Sequence, residues 1–283
     1  MCRFTLYLGP PTQLSSLVTE PKNSLIHQSY ESRERREPLN GDGFGVAWYV
    51  PELDEEPALF RSVTPAWNNA NLTNLARVVK SPCILAHVRA ATQVRSVSEA
   101  NCHPFRFGPL TFMHNGDVAG FPAMRRALLD QLSDATFQSV QGTTDSEHVF
   151  ALFIDRLLEN GTERSAAALA GALRQTIERV LELSARHGDG RDSYLNFAVS
   201  DGRCAVVTRY TTKAGYAGES LYLDRGRRFV CEKGLCRMVE PEEEGGAVLV
   251  SSEALSEDPG WEAVPRNHML VIAEDRTVSL QAL

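Results

Sequence analysis

Two long helical segments lie in the middle of the chain, and strand-like segments lie both before and after them. The segment TTDSEHVFALFIDRLLENG has apolar residues near helical spacing, begins with a capping candidate and stops at Gly161. The alanine-rich segment SAAALAGALRQTIERVLELSARHG stops in the same way at Gly188. Strands, then helices, then strands again favour sheets with helices packed outside them. The pattern therefore predicts an α+β fold.

The predicted strands are rich in aromatic and β-branched residues and are bounded by glycine or proline. They are RFTLYLG, GFGVAWYV, PALFRSV, CILAHVRAAT and LTFMHNG before the helices, and YLNFAVS, CAVVTRY, SLYLD, RFVCE, AVLVSSE, HMLVIAE and TVSLQAL after them. No internal repeat or long low-complexity linker divides the chain. We therefore expect a single domain over residues 2–283.

Composition narrows the function classes. The net charge is -7 and no basic stretch is interleaved with aromatic residues, so no nucleic-acid partner is expected. No apolar run approaches the roughly 18–20 residues of a membrane span, and the N-terminus MCRFTLYLGPPTQ lacks a secretory pattern. The six cysteines are scattered rather than spaced as a disulfide framework. These features predict a reducing, cytoplasmic compartment.

Cys2 follows the initiator methionine directly, and two interpretations are open. A free cysteine commonly packs as a small hydrophobic residue. If Met1 is removed, however, Cys2 carries both a thiol and a free α-amine, and that amine can act as the base for its own thiol.

Several other polar groups stand out. The segment LNGDGFGVAWY, which contains Asp42, lacks dinucleotide-binding spacing and favours a turn close to a ligand or another strand. Arg89 falls inside an apolar strand, where it needs a structural or a ligand carboxylate. The predicted strand ends and turns also carry His103, His114, Asn115 and Gly116. Asp145 falls in the first turn of a helix, where the helix dipole alone would favour a carboxylate.

Two common catalytic arrangements are missing from the sequence. There is no C-x-x-C pair and no H-x-x-x-H or H-E-x-x-H helix, so no metal and no cofactor are expected. Cys231 and Cys236 are close in sequence but lack a second pair, which favours ordinary strand cysteines. No G-x-S-x-G elbow indicates a serine hydrolase.

The ordered set of motifs decides between the interpretations of Cys2. Cys2, NGDGFGVAWY, HVRAAT, NCHPF, HNG and TDSE together resemble the class II glutamine amidotransferase domain of the N-terminal-nucleophile hydrolase superfamily. MCRF, HQSYESR, PLNGDGFGVAWY and VLVSSEALSEDPGWEAVP are similar to its stand-alone γ-glutamyl amidohydrolases, which include glutathione-degrading amidotransferase-like subunits and ergothioneine-biosynthesis amidohydrolases. The resemblance implies a four-layer α-β-β-α sandwich with two mostly antiparallel sheets between helices.

The resemblance also implies roles for individual residues. Cys2 would be the nucleophile that forms a thioester with a γ-glutamyl group, and its α-amine would carry the proton. Catalytic support would come from the oxyanion-hole positions Asn115 and Gly116. Arg89 would bind the substrate α-carboxylate, Asp145 would bind the α-ammonium, and Thr92 would hold the glutamyl backbone. Asp42 and His103 would support the site.

The expected substrate is a small γ-glutamyl compound, such as glutamine, glutathione or a related metabolite. One departure is Gln93, at a position where many ammonia-channelling members carry histidine. A glutaminase subunit that delivers ammonia to a separate synthase partner is the alternative function. A protein partner subunit or a homo-oligomer is compatible with either function.

Overall fold

The computed structural model describes residues 2–34, 39–90, 97–161, 163–232, 235–239 and 246–283. In chain order its strands are β1 (Arg3–Gln13), β2 (Phe44–Val50), β3 (Asp54–Ser62), β4 (Lys80–Val88), β5 (Phe105–Phe107), β6 (Leu110–Asp117), β7 (Tyr194–Ser200), β8 (Ala205–Arg209), β9 (Tyr222–Glu232), β10 (Leu235–Val239), β11 (Ala247–Ser251), β12 (Glu262–Ala263), β13 (His268–Ile272) and β14 (Val278–Ala282). Its α-helices are α1 (Ser15–Val18), α2 (Leu25–Tyr30), α3 (Ala70–Ala76), α4 (Phe121–Leu129), α5 (Asp134–Ser139), α6 (Asp145–Glu159) and α7 (Ala166–His187), and short 3₁₀ turns cover Ala66–Asn68 and Glu99–Asn101.

The strands of the described ranges form two antiparallel sheets. The larger sheet has the order β10-β9-β11-β1-β4-β2-β3, with β12 added beside β9. The smaller sheet has the order β14-β13-β8-β7-β6-β5. The first strand of the chain is therefore central in the larger sheet, between β11 and β4.

The two sheets pack face to face, and helices cover their outer faces. Phe4, Leu6 and Leu8 alternate along β1 and enter the layer between the sheets, where they share a core with Met113 of β6 and Val207 of β8. The outer face of the larger sheet packs on α1, α2 and α3, and that of the smaller sheet on α4, α6 and α7. This arrangement confirms the predicted α-β-β-α sandwich. None of the helices in the described ranges is long and apolar enough to cross a membrane.

The two long helices begin and end where capping rules place them. Thr144 and Ser165 are the N-cap residues, and each side chain accepts a backbone N–H three residues further on. The segments predicted as SLYLD and RFVCE are one strand, β9, which passes through Gly226 at φ +77°. A register shift opposite Ala247 and Val248 accommodates this residue within the ladder.

Two local predictions are wrong. Arg89 lies just beyond the end of β4 rather than inside the strand. The predicted strand LTFMHNG is confirmed as part of β6, in which Asn115 and Gly116 lie opposite Asn196 and Leu195 of β7.

The second error concerns Cys231 and Cys236, which are not ordinary strand cysteines. They lie opposite each other in the β9–β10 hairpin and form a disulfide. Their ligand atoms lie within 4.8 Å of a Glu20 carboxylate oxygen. Because the sulfurs are bonded to each other, they are not thiolate ligands in this structure.

Candidate active site

Cys2 lies immediately before β1 and beside the end of β4. Arg3 pairs with Val88 in the antiparallel ladder, so the start of the chain meets the residues that follow β4. The backbone nitrogen of Ala90 lies 3.4 Å from Cys2 Sγ, and the Ala90 carbonyl oxygen lies 3.7 Å from it. The half-buried thiol is therefore held at a strand end with a backbone N–H directed at its sulfur.

The other free cysteines in the described ranges, Cys83, Cys102 and Cys204, are buried. Burial raises the pKa of Cys83 to about 12 and that of Cys102 to about 11. Burial, with nearby Asp201, also raises the pKa of Cys204 well above its ordinary value. A buried and protonated thiol is a poor nucleophile. Among these cysteines, exposure therefore favours Cys2 as the reactive one.

Arg89 and the glycine turn before β2 are joined by backbone hydrogen bonds. Arg89 N–H donates to the Gly43 carbonyl at 2.8 Å, and Asp42 N–H donates to the Arg89 carbonyl at 3.0 Å. Gly43 has φ +117°, and a Cβ there would lie 2.7 Å from Cys102 Sγ. Ala90, the residue after Arg89, contacts Cys2, so these backbone bonds join the glycine turn to the segment that reaches the thiol. The Arg89 side chain is buried, with 4% of the residue exposed.

Asn115 is linked to the start of β1 from the smaller sheet, and Gly116 follows it in β6. Ser252 Oγ accepts the Phe4 N–H at 3.0 Å and the Asn115 side-chain N–H at 3.4 Å. Asn115 Oδ1 is buried and has no partner within the described ranges. A Cβ on Gly116 would lie 1.7 Å from the Tyr194 carbonyl oxygen, so the close approach of β7 requires glycine here.

Asp145 is the first residue of α6 and binds this helix to the end of β6. Its carboxylate accepts the N–H of Val118 and that of Ser146, each at 2.8 Å. His114 Nε2 lies 2.9 Å from the Tyr194 carbonyl, which can only accept, so Nε2 carries a proton. In neutral His114, Nδ1 then accepts from Ser146 Oγ at 2.9 Å. Asp145 is therefore a half-buried carboxylate with remaining acceptor capacity beside the strand of Asn115.

His103 lies in a buried group of aromatic rings. Its ring stacks on His87 with centroids 4.2 Å apart and meets Phe105 edge-on at 4.5 Å. Both ring nitrogens are buried without a partner in the described part of the chain. Burial, with a smaller effect of the neighbouring His87, lowers the His103 pKa well below its ordinary value, and burial lowers that of His87 to about 3. Both rings are therefore neutral at neutral pH and pack against one another.

Thr92 and Gln93 lie outside the described residues. Conversely, Arg3 and Glu253 have no role predicted from the sequence, although they lie in the motifs MCRF and VLVSSE. Both are buried next to Cys2, and Arg3 Nε lies 2.9 Å from Glu253 Oε1. The sequence signal that could have identified them is a charged residue at one end of an apolar strand segment: Arg3 begins RFTLYLG, and Glu253 ends AVLVSSE.

Comparisons with known proteins agree with this geometry. A family model described as glutamine amidotransferases class-II matches residues 14–282. The chain is 42% identical to the probable glutamine amidotransferase DUG3 of Saccharomyces cerevisiae, over 96% of this chain and 82% of that protein. It is 27% identical to the γ-glutamyl-hercynylcysteine sulfoxide hydrolase of Mycolicibacterium smegmatis, with 98% of each chain covered.

Solved structures share the fold. A glutamine aminotransferase class-II domain protein from Silicibacter pomeroyi superposes with a TM-score of 0.68 and 28% identity, over 99% of both chains. The glutamine phosphoribosylpyrophosphate amidotransferase of Bacillus subtilis has a TM-score of 0.58 and 16% identity, and this chain covers 49% of it. The chain therefore belongs to the class II glutamine amidotransferases and is an amidohydrolase-type enzyme.

Proposed function

We propose that this enzyme hydrolyses the γ-glutamyl amide bond of glutamine, glutathione or a related γ-glutamyl compound through a thioester on Cys2. The observation that carries the proposal is the half-buried Cys2 thiol at the end of a central strand, 3.4 Å from the backbone nitrogen of Ala90, the residue that follows Arg89. Two similar proteins are named as a glutamine amidotransferase and as a γ-glutamyl hydrolase, which supports γ-glutamyl amide chemistry in general.

The reaction needs a base and an acid at the same place. After removal of Met1, the neutral α-amine of Cys2 takes the thiol proton while sulfur attacks the δ-carbonyl carbon. The C–N bond then breaks, and the ammonium form of the α-amine returns the proton to the leaving amine. Water attacks the resulting thioester by the same route, so that glutamate leaves and the thiol is restored.

The oxygen of the attacked carbonyl becomes negatively charged during the reaction, so hydrogen-bond donors must stabilise it. The Asn115 side-chain N–H makes only a long contact of 3.4 Å with Ser252 Oγ, so a developing oxyanion can compete for it. Gly116 allows the strand behind this donor to pack closely. Both residues are held by the pairing of β6 with β7.

Substrate recognition is assigned to two opposite charges. The buried Arg89 guanidinium suits the substrate α-carboxylate, and the half-buried Asp145 carboxylate suits the α-ammonium. In this proposal both side chains contact only the glutamyl part of the substrate, so they do not select the group beyond the γ-amide. Thr92 belongs to the same proposed subsite.

A glutaminase subunit that transfers ammonia to a separate synthase is the second candidate. It is favoured by the name of the 42% identical yeast relative, which is described as a probable glutamine amidotransferase. In that case glutamine is the substrate, and turnover rises when the acceptor partner is added.

The test is release of glutamate by the purified protein from glutamine, glutathione and γ-glutamyl-cysteine. We expect wild type to release glutamate from at least one of them and to form a covalent adduct on Cys2 that mass spectrometry detects after rapid acid quenching. Cys2→Ala should abolish both signals, whereas Cys204→Ala, at a buried cysteine just before β8, should retain them. Full turnover by Cys2→Ala would contradict the proposal.

A further inference from the structure

A buried polar network lies at the start of β1, where an apolar core would be expected. Arg3 has no exposed surface, and its Nε donates to Glu253 Oε1 at 2.9 Å. Ser32 Oγ donates to the same carboxylate oxygen at 2.5 Å, and Asn23 Nδ2 lies 3.3 Å from the other. We call Arg3, Asn23, Ser32 and Glu253 the Arg3–Glu253 network.

Glu253 links the loop at Arg33 and Glu34 to Arg3 of β1. Besides the network donors, its carboxylate accepts the backbone N–H of Arg33 at 3.1 Å and that of Glu34 at 3.2 Å. Burial opposes ionisation, but the Ser32 hydroxyl, the Arg3 charge and these backbone donors together lower the Glu253 pKa below its ordinary value. The carboxylate is therefore ionised at neutral pH and holds residues from three parts of the chain.

The same guanidinium reaches the reactive residue. Arg3 Nη1 donates to the Cys2 carbonyl oxygen at 3.0 Å, while Cys2 Sγ contacts Ala90. Cys2 precedes the first residue of β1, so these two contacts hold a residue that the sheet ladder does not. Without the Arg3 contact, the backbone of Cys2 can rotate, and the thiol and the α-amine then lose the alignment that attack on the substrate requires.

We infer that the Arg3–Glu253 network is a positioning device that fixes the backbone of Cys2, so that its thiol and α-amine are aligned for attack. The inference rests on the proposed function. Stability alone does not account for the network, because replacing a buried ion pair with apolar residues of similar volume is often neutral or stabilising. Arg3 and Glu253 are positioning residues, and neither is assigned a contact with substrate.

The experiment separates position from stability by removing the two charges singly and together. Arg3→Met alone leaves a buried carboxylate without its cation and should lower Tm strongly. Arg3→Met/Glu253→Gln removes both charges but keeps an amide oxygen that can accept from the Arg33 and Glu34 N–H groups, so it should recover most of that Tm. Its kcat should nevertheless remain about 10²-fold below wild type, the usual effect of a misplaced reacting group, with KM for glutamine unchanged.

A milder variant and a matched control complete the design. Arg3→Lys keeps the charge but cannot contact Glu253 and the Cys2 carbonyl with one planar group, so its kcat should also fall. Glu274→Gln breaks an exposed ion pair with Arg203, 2.7 Å long, and should change nothing. Intact mass must show loss of Met1 in every variant.

Alkylation of Cys2 by iodoacetamide gives a readout that needs no substrate. The rate of alkylation at one fixed pH should change in Arg3→Lys and in the double variant, because the thiol is no longer held in place, but not in Glu274→Gln. Wild-type kcat and alkylation in the double variant would overturn the inference, as would failure of every network variant to fold. If wild type releases no glutamate from any γ-glutamyl compound, the proposed function fails, while the alkylation rates still test the positioning.

Discussion

Replacing Asp145 with asparagine should lower two quantities that can be measured separately: the affinity for substrate and the free energy of unfolding. The carboxylate accepts the N–H groups of Val118 and Ser146, one on each oxygen. Asparagine keeps one acceptor oxygen and leaves one of these donors unpaired, which costs about 1–3 kcal/mol. Loss of the charge at the N-terminus of α6 adds about 0.3–1 kcal/mol. A domain with the usual 5–15 kcal/mol of stability therefore remains folded.

The effect on binding is worked from the proposed pairing with the substrate α-ammonium. Removing one partner of a buried charge pair costs about 2–5 kcal/mol. Asp145 is half-buried, so solvent screening places the value at the lower end. At 1.4 kcal/mol for each factor of ten, the loss in kcat/KM for glutamine is about 30-fold, expressed mainly in KM.

The matched control is Asp155→Asn, in the same helix. Its carboxylate accepts Ser133 N–H at 2.8 Å and the hydroxyls of Ser133 and Thr136 at 2.7 Å, and it lies at the far end of α6 from the site. This variant should lose stability without any change in KM. Wild type should prefer glutamine to N-acetyl-glutamine, and Asp145→Asn should lose most of that preference. The same preference in wild type and in Asp145→Asn would refute the pairing.

Three further predictions concern the nucleophile, the oxyanion donor and the buried histidines. A variant that retains Met1, or carries an N-terminal tag, should lose turnover but keep its circular dichroism spectrum, because the proposed mechanism assigns both nucleophile and base to Cys2. Active protein with Met1 attached would contradict this. Asn115→Ala should lower kcat by about 10²–10³, and steady-state kinetics that match wild type would exclude an oxyanion role. The depressed pKa values of His87 and His103 mean that the unfolded chain binds more protons below pH 6.5, so the free energy of unfolding should fall between about pH 6.5 and 3. Urea titrations at several pH values measure that slope, and a flat profile in this window would show that the rings are not buried in neutral form.

The sequence correctly predicted those elements that have a long periodic pattern or carry their own capping residues. The helices α6 and α7 carry many turns of apolar spacing, an N-cap side chain and a glycine close to each C-terminal end. The helices α1, α2 and α3 have four to seven residues, too few for periodicity to identify. The HNG segment shows how tertiary pairing overrides a local turn signal, since Gly116 is part of the ladder with β7.

The site was predictable where a motif has chemistry of its own and not where the chemistry arises from distant contacts. Cys2 and Arg89 were singled out from residue type and neighbours, and the structure brings them together through Ala90. Arg3 and Glu253 are separated by 250 positions, and neither segment alone indicates that the other neutralises it. A buried charge can be recognised as paired only when its partner is known.

The geometry also separates the proposed chemistry from the choice of substrate. Cys2 and Arg89 belong to the larger sheet and its strand ends, whereas Asn115 and Asp145 belong to the smaller sheet and α6. Ser252, which bonds to Phe4 and Asn115, joins the two sheets beside the thiol. All of these groups face a glutamyl head in the proposal, so the leaving group meets other parts of the chain. One reaction centre can therefore serve different γ-glutamyl compounds when the surrounding loops differ, as the different names of the yeast and mycobacterial relatives suggest.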